Sequence, residues 1–119
     1  MVCADDASDA VVIAHMHPNV IIVESPNLIG SRSSGSRGRA AVMETDSAIL
    51  RVDPDIRILH GAGISSADDV YDVIAAGAQA TGSSSAIFDA DDPPSMLEAM
   101  IKAVRAAWDE THPSGSDQE

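Results

Sequence analysis

Four short runs rich in β-branched or small residues, each followed by a helical pattern, constrain this chain more than any other feature. The strand candidates are Val2-Cys3, Val20 to Val23, Ile56 to Leu59, and the small-residue stretch Gln79 to Ser83. The helical segments are Ala7 to Met16, Ala40 to Arg51, Ala67 to Ala76, and a last helix opening at Pro93-Pro94-Ser95. Ser66 three residues before Asp69 reads as a capping pair for the third helix, with Gly77 as its stop. In the last helix, Glu98 is expected to close a capping box, and Leu97, Met100, Ile101, Val104 and Trp108 to form the apolar stripe. A βαβα series requires parallel strands with helices outside, so the predicted class is α/β with four parallel βα units.

Composition narrows what such a fold can serve. The 119 residues are 45% hydrophobic but only 3% aromatic, so the core must be built mainly from Val, Ile, Leu, Met and Ala. A formal charge of -12 argues against nucleic acid and against anionic membrane as partners, since both select for basic patches. The Asp-heavy acids, against six Arg and the single Lys102, fit a surface solvated at high salt. Cys3 is the only cysteine, which excludes an internal disulfide framework, and no apolar run has the length of a signal or membrane span. The expectation is a cytoplasmic protein. It has one domain over residues 1–108 and a disordered acidic tail over 109–119.

Chemistry-bearing residues cluster at the ends of the predicted strands. Glu24 ends the run Val20 to Val23, and a carboxylate at a strand end must reach solvent or a cleft. Gly61-Ala62-Gly63 joins the third strand to a capped helix, a turn that can present backbone N–H groups to an anion, or can simply be tight. Ser83-Ser84-Ser85 repeats the theme one strand later, with ordinary helix-capping serines as the plainer reading. Gly30 to Arg39, all Ser, Arg and Gly, is expected to be a mobile loop. His15 and His17 read as surface residues without the further ligand a metal site needs, His60 as a packed polar residue and Cys3 as core.

Taken in order, these segments resemble the C-terminal half of triosephosphate isomerase, particularly its archaeal form. "MVCADD" is similar to that family's fifth strand, "VESPNLIGS" to the sixth with the catalytic Glu and the lid, "LHGAGISSADDV" to the seventh strand's phosphate turn, and "TGSSSAIFDADDP" to the eighth. The resemblance covers residues 1 to about 108 and implies half of a TIM (β/α)8 barrel. It implies Glu24 as the general base interconverting dihydroxyacetone phosphate and glyceraldehyde 3-phosphate. Gly61, Ala62, Gly63, Ser84 and Ser85, with Ala86, would bind the substrate phosphate, and Gly30 and Ser31 would lie in the lid. No cofactor and no metal is implied.

The departures from that pattern are specific. The family's lysine and electrophilic histidine belong to its first and fourth strands, and neither has a counterpart among these motifs. The lid's second glycine is Arg32, a later proline is Ser34, and the last glycine of the phosphate-binding strand end is Ala86. The expectation is therefore an isomerase-like segment inactive by itself, its partner a phosphorylated triose and its assembly a homo-oligomer or a complementing N-terminal half-barrel. The alternative is a non-catalytic half-barrel that binds a phosphorylated metabolite or oligomerises. A third reading, another phosphate-handling barrel enzyme, is disfavoured by Glu24 in its E-x-P-x-L-I-G setting.

Overall fold

A computed structural model describes residues 1–24, 35–61 and 63–113, with side chains omitted for 35–38. The elements are β1 (Val2–Ala4), α1 (Ala7–Ala14), β2 (Val20–Val23), α2 (Gly35–Val52), β3 (Arg57–His60), α3 (Ala67–Ala75), β4 (Ala80–Thr81), α4 (Ser85–Phe88) and α5 (Pro93–Thr111). The four strands form one parallel sheet in the order β1-β2-β3-β4. These are the four parallel βα units that the alternation of elements predicts, consistent with the half of a TIM (β/α)8 barrel that the resemblance implies.

Helix boundaries follow local chemistry. Asp6 caps α1 by accepting from the Asp9 N–H at 2.8 Å, and Ser66 caps α3 by accepting from the Asp69 N–H at 3.2 Å. Gly77 ends the α3 turn with φ +115°, a conformation L side chains rarely adopt. The cap of α5 is Asp92 rather than Ser95 with Glu98: Asp92 accepts from the Ser95 N–H at 3.3 Å and from its hydroxyl at 2.8 Å. Pro93 then fits the first turn, where its missing N–H costs nothing. Glu98 pairs instead with Lys102 one turn on, at 3.0 Å. Two other expected boundaries move. Residues 35–39, read as part of a loop, belong to α2, and residues 109–111, read as tail, belong to α5. The remainder of the expected loop, through residue 34, and residues 114–119 of the tail lie outside the described residues.

Strand parity decides which face of the sheet the helices cover. Ala4, Val23 and His60 stand side by side and are buried, as are Ile21 and Ile58. With Ala10, Ala14, Ile49 and Ile56, these apolar strand residues form one core under α1 and α2. A second core, around Val70, Val73, Ile74 and Met100, packs α3 against α5. The other parity gives the row Cys3, Ile22, Leu59 and Ala80, exposed at Cys3 and half-buried at the other three, which belongs to neither core and is covered by no helix among the described residues. Ile58 lies on the helix-covered face. Cys3 is exposed rather than core because its strand is an edge and its face is open.

At the opposite, N-terminal edge of the sheet, His17 and Asp53 join the two turns that lead into β2 and β3. His17 Nδ1 lies 2.9 Å from Asp53 Oδ2, and Asp53 Oδ1 accepts from the Asp55 N–H at 3.0 Å. These contacts, that of His17 foremost, hold the Asp53 carboxyl below its usual range. A depressed carboxylate stabilises the fold above its unfolded pKa and loses that contribution as pH falls through the folded value. Asp53→Asn should therefore flatten part of the acid limb of stability below about pH 4 and leave the slope near neutrality unchanged. Urea midpoints taken across that range will show whether the two proteins converge at the acid end.

Candidate active-site edge

Parallel strands bring every strand's C-terminal end to one edge, and of the candidate residues Glu24, Gly61, Gly63, Ser84 and Ser85 are described there. The Glu24 N–H donates to Ala4 O at 2.9 Å, and the Gly61 N–H to Val23 O at 3.1 Å, each extending the ladder one residue beyond its strand. Period-two alternation places Glu24 and Gly61 on the uncovered face, with Ile22 and Leu59. Glu24 is exposed. Its carboxylate has no partner among the described residues' hydrogen bonds.

One strand further on, an open cleft of about 540 Å³ is walled by both predicted phosphate turns. Gly61, Gly63, Ile64 and Ser65 form one side, and Ser83, Ser84, Ser85 and Ala86 the other. The Ser83 hydroxyl donates across to Ile64 O at 3.0 Å and stitches the two turns together. Thr81 reinforces the stitch from below, its hydroxyl donating to His60 O at 2.7 Å. Gly63 has φ +76°, so the turn after β3 needs a residue without a Cβ. Ser84 precedes the short helix α4 without capping it, which leaves its hydroxyl facing the cleft.

The cleft divides its polar groups unevenly. The Gly61 N–H is committed to the sheet, and the Ser65 N–H and hydroxyl both donate to Asp69 Oδ2, at 2.9 and 2.8 Å. Among the described residues, the backbone N–H groups along the cleft left without a partner include those of Gly63, Ile64, Ser84 and Ser85. Asp89 adds a carboxylate to the wall, which opposes any anion.

The structure thus brings Gly61, Gly63, Ser84 and Ser85 into one cleft and leaves Glu24 on the neighbouring strand, outside its wall. Ala62, the lid residues Gly30 and Ser31, and the altered positions Arg32 and Ser34 lie outside the described residues. Sequence reasoning missed Ser83 as the stitch, since nothing distinguishes it from the two serines that follow. It also missed Asp89 as a wall residue. His60 is buried, as read: its Nε2 meets Asp46 Oδ1 of α2 at 2.6 Å, and its Nδ1 has no partner among the described residues. That pair fixes the strand end immediately before Gly61. Among the described residues no group of three or more His, Cys, Asp or Glu is placed to hold a metal ion.

Replacing Gly63 tests the turn directly. Gly63→Ala should destabilise the chain by about 1–2 kcal/mol, the usual cost of a left-handed residue with a Cβ. Gly61→Ala should be milder, because its new Cβ would meet Leu59 Cδ2 at 3.4 Å and Ile22 Cγ2 at 3.9 Å, ordinary contacts. Urea unfolding of the two variants side by side measures the difference.

Comparison with known proteins gives three results. The family model for thiazole biosynthesis protein ThiG matches residues 26–116. Triosephosphate isomerases are similar along most of the chain: that of Methanothermus fervidus is 35% identical over 102 residues, covering 85% of this chain and 46% of its own. Those of Sulfolobus acidocaldarius and Sulfurisphaera tokodaii are 30% and 35% identical, over 89% of this chain and 46% and 47% of theirs. The chain spans about half the length of the curated relatives it matches. Among solved structures, the crystal structure of the Amycolatopsis orientalis BexX/CysO complex superposes with a TM-score of 0.67 at 22% identity, over 96% of this chain and 44% of that one. This last likeness is one of fold.

Proposed function

We propose a function on one premise: the chain belongs to the ThiG family, whose model spans the cleft, and its curated relatives are triosephosphate isomerases. The chain is a phosphate-binding segment of an isomerase-like barrel, and its ligand is a phosphorylated triose held in the cleft between Gly63 and Ser85. The observation that carries this reading is the cleft itself, where a glycine turn and a serine turn are stitched by Ser83 at the C-terminal edge of a parallel sheet.

Glu24 takes the role of general base, moving a proton between the two carbons of the triose. It stands at the same edge, on the face that becomes the interior when a barrel closes. The role rests on the isomerase relatives alone, because the family match begins at residue 26. A base of this kind also needs a partner for charge developing on the substrate oxygen. Loss of one such donor costs about 10²–10³ in rate. The segment alone binds, and turnover requires groups from a complementing segment.

Two measurements test the proposal. In an NMR titration with phosphoglycolate, the amide signals of Gly63, Ile64, Ser84 and Ser85 should move first, and Glu24→Gln should leave that binding intact or slightly stronger. Asp89→Asn should strengthen it by removing a carboxylate from the wall. Signals that stay still here while others shift would reject the cleft as the site. In a coupled assay the purified chain should show negligible isomerase turnover, and family-like turnover without a partner would reject the division of roles.

A further inference from the structure

Four large apolar residues of α5 do not face the core. Its buried side is Met96, Met100, Ala103 and Ala107, packed on α3, while Leu97, Ile101, Val104 and Trp108 form a parallel row turned to solvent, with Ile101 60% exposed. A groove of about 240 Å³ runs from this row to the free edge of β4, between Leu97, Ile101, Ile87 and Thr81. The other end of the sheet is unpartnered too. There β1 has a free edge with Val2 exposed, and α1 beside it turns Val12 and Met16 outward, 67% and 79% exposed.

We propose that these two surfaces bind each other between two copies of this chain, β4 of one lying parallel to β1 of its partner. The two edges have the same strand direction, so a twofold axis through the uncovered face makes both junctions at once and closes eight strands. The open row Cys3, Ile22, Leu59 and Ala80 of each copy then becomes interior.

The α1 side carries Asp5, Asp6 and Asp9, whereas α5 carries three acids, Glu98, Asp109 and Glu110, and two cations that can face those of α1, Lys102 and Arg105. Those two are held by Glu98 and Asp109 in exposed i,i+4 pairs, which cost little to exchange. The net charge of -12 per copy opposes any association at low salt, so dimerisation should strengthen as salt screens it. The inference rests on strand polarity and exposed side chains, and it stands or falls separately from ligand binding in the cleft.

The test is sedimentation equilibrium of the full chain at low and high salt, with circular dichroism confirming fold in every variant. The expected result is a dimer strengthened by salt, which Ile101→Glu and Val12→Glu each reduce to monomer at tenfold or higher loss of affinity while the fold is kept. Ala80→Cys or Gly82→Cys should form an oxidised dimer through Cys3 of the other copy, and adding Cys3→Ala should abolish it. Several results would overturn the proposal. They are a folded monomer at all salt concentrations, a dimer lost in Ile101→Glu but intact in Val12→Glu, or no Cys3-dependent cross-link from either β4 position. A monomer that pairs only with an added N-terminal half of a related isomerase would likewise assign these surfaces to a different occupant.

Discussion

A parallel sheet needs cover on both faces, because its strands are apolar on both sides, and among the described residues this sheet has helices on one face only. The other features take their places around that imbalance. Helices α1 and α2 pack on Ile21, Val23, Ile58 and His60, while Cys3, Ile22, Leu59 and Ala80 look outward. The strand ends above that open face carry Glu24 and Gly61, and the turns beyond them carry the cleft. Even the orientation of α5 fits, since its larger residues line the groove beside the free edge of β4.

The order of elements was legible because β-branched runs, caps and glycine stops sit at the right intervals. Val20–Val23 is found as read, and Arg57–His60 differs from Ile56 to Leu59 by one residue. Parity was not legible. Arg57-Ile58-Leu59-His60 alternates charge, aliphatic, aliphatic and imidazole, and a strand buried from both sides gives no period to tell which aliphatic faces the helices. The answer lies in α2, where Asp46 supplies a partner for His60 and so draws His60 and Ile58 inward. The α5 stripe failed for a related reason. The helix carries two apolar rows about one residue apart, and small alanines, Ala103 and Ala107, let α3 approach more closely than Ile101 and Trp108 would.

The site was legible in part. Gly63 and the serines announce a backbone-lined turn by composition, and the fold unites them because β3 and β4 are neighbours. What no local pattern holds is the division of labour among similar residues. Ser65 turns its donors to Asp69, Ser83 spans to Ile64, and Ser84 stays free of a cap, although the three serines look alike in sequence. Each assignment depends on which acceptor the fold brings within about 3 Å: a carboxylate four residues on for Ser65, and a carbonyl of the neighbouring turn for Ser83.

Glu24 shows why the open face matters for chemistry as well as for packing. A carboxylate on an uncovered face is solvated by bulk water, and a proton-transfer base gains from an environment in which water has been replaced by fixed groups. Among the described residues no helix supplies such cover, since Glu24 stands with Ile22 on the face away from α1 and α2. Whatever covers the row Cys3, Ile22, Leu59 and Ala80 must also enclose Glu24, because the row and the carboxylate share one face of one sheet. The cleft differs in this respect. Its two turns are joined by Ser83 within the chain, so its donors are in place before the sheet is closed. On the proposed reading, binding and catalysis are separable in this architecture: the cleft is local to β3 and β4, whereas Glu24 lies on the face that the described helices leave open.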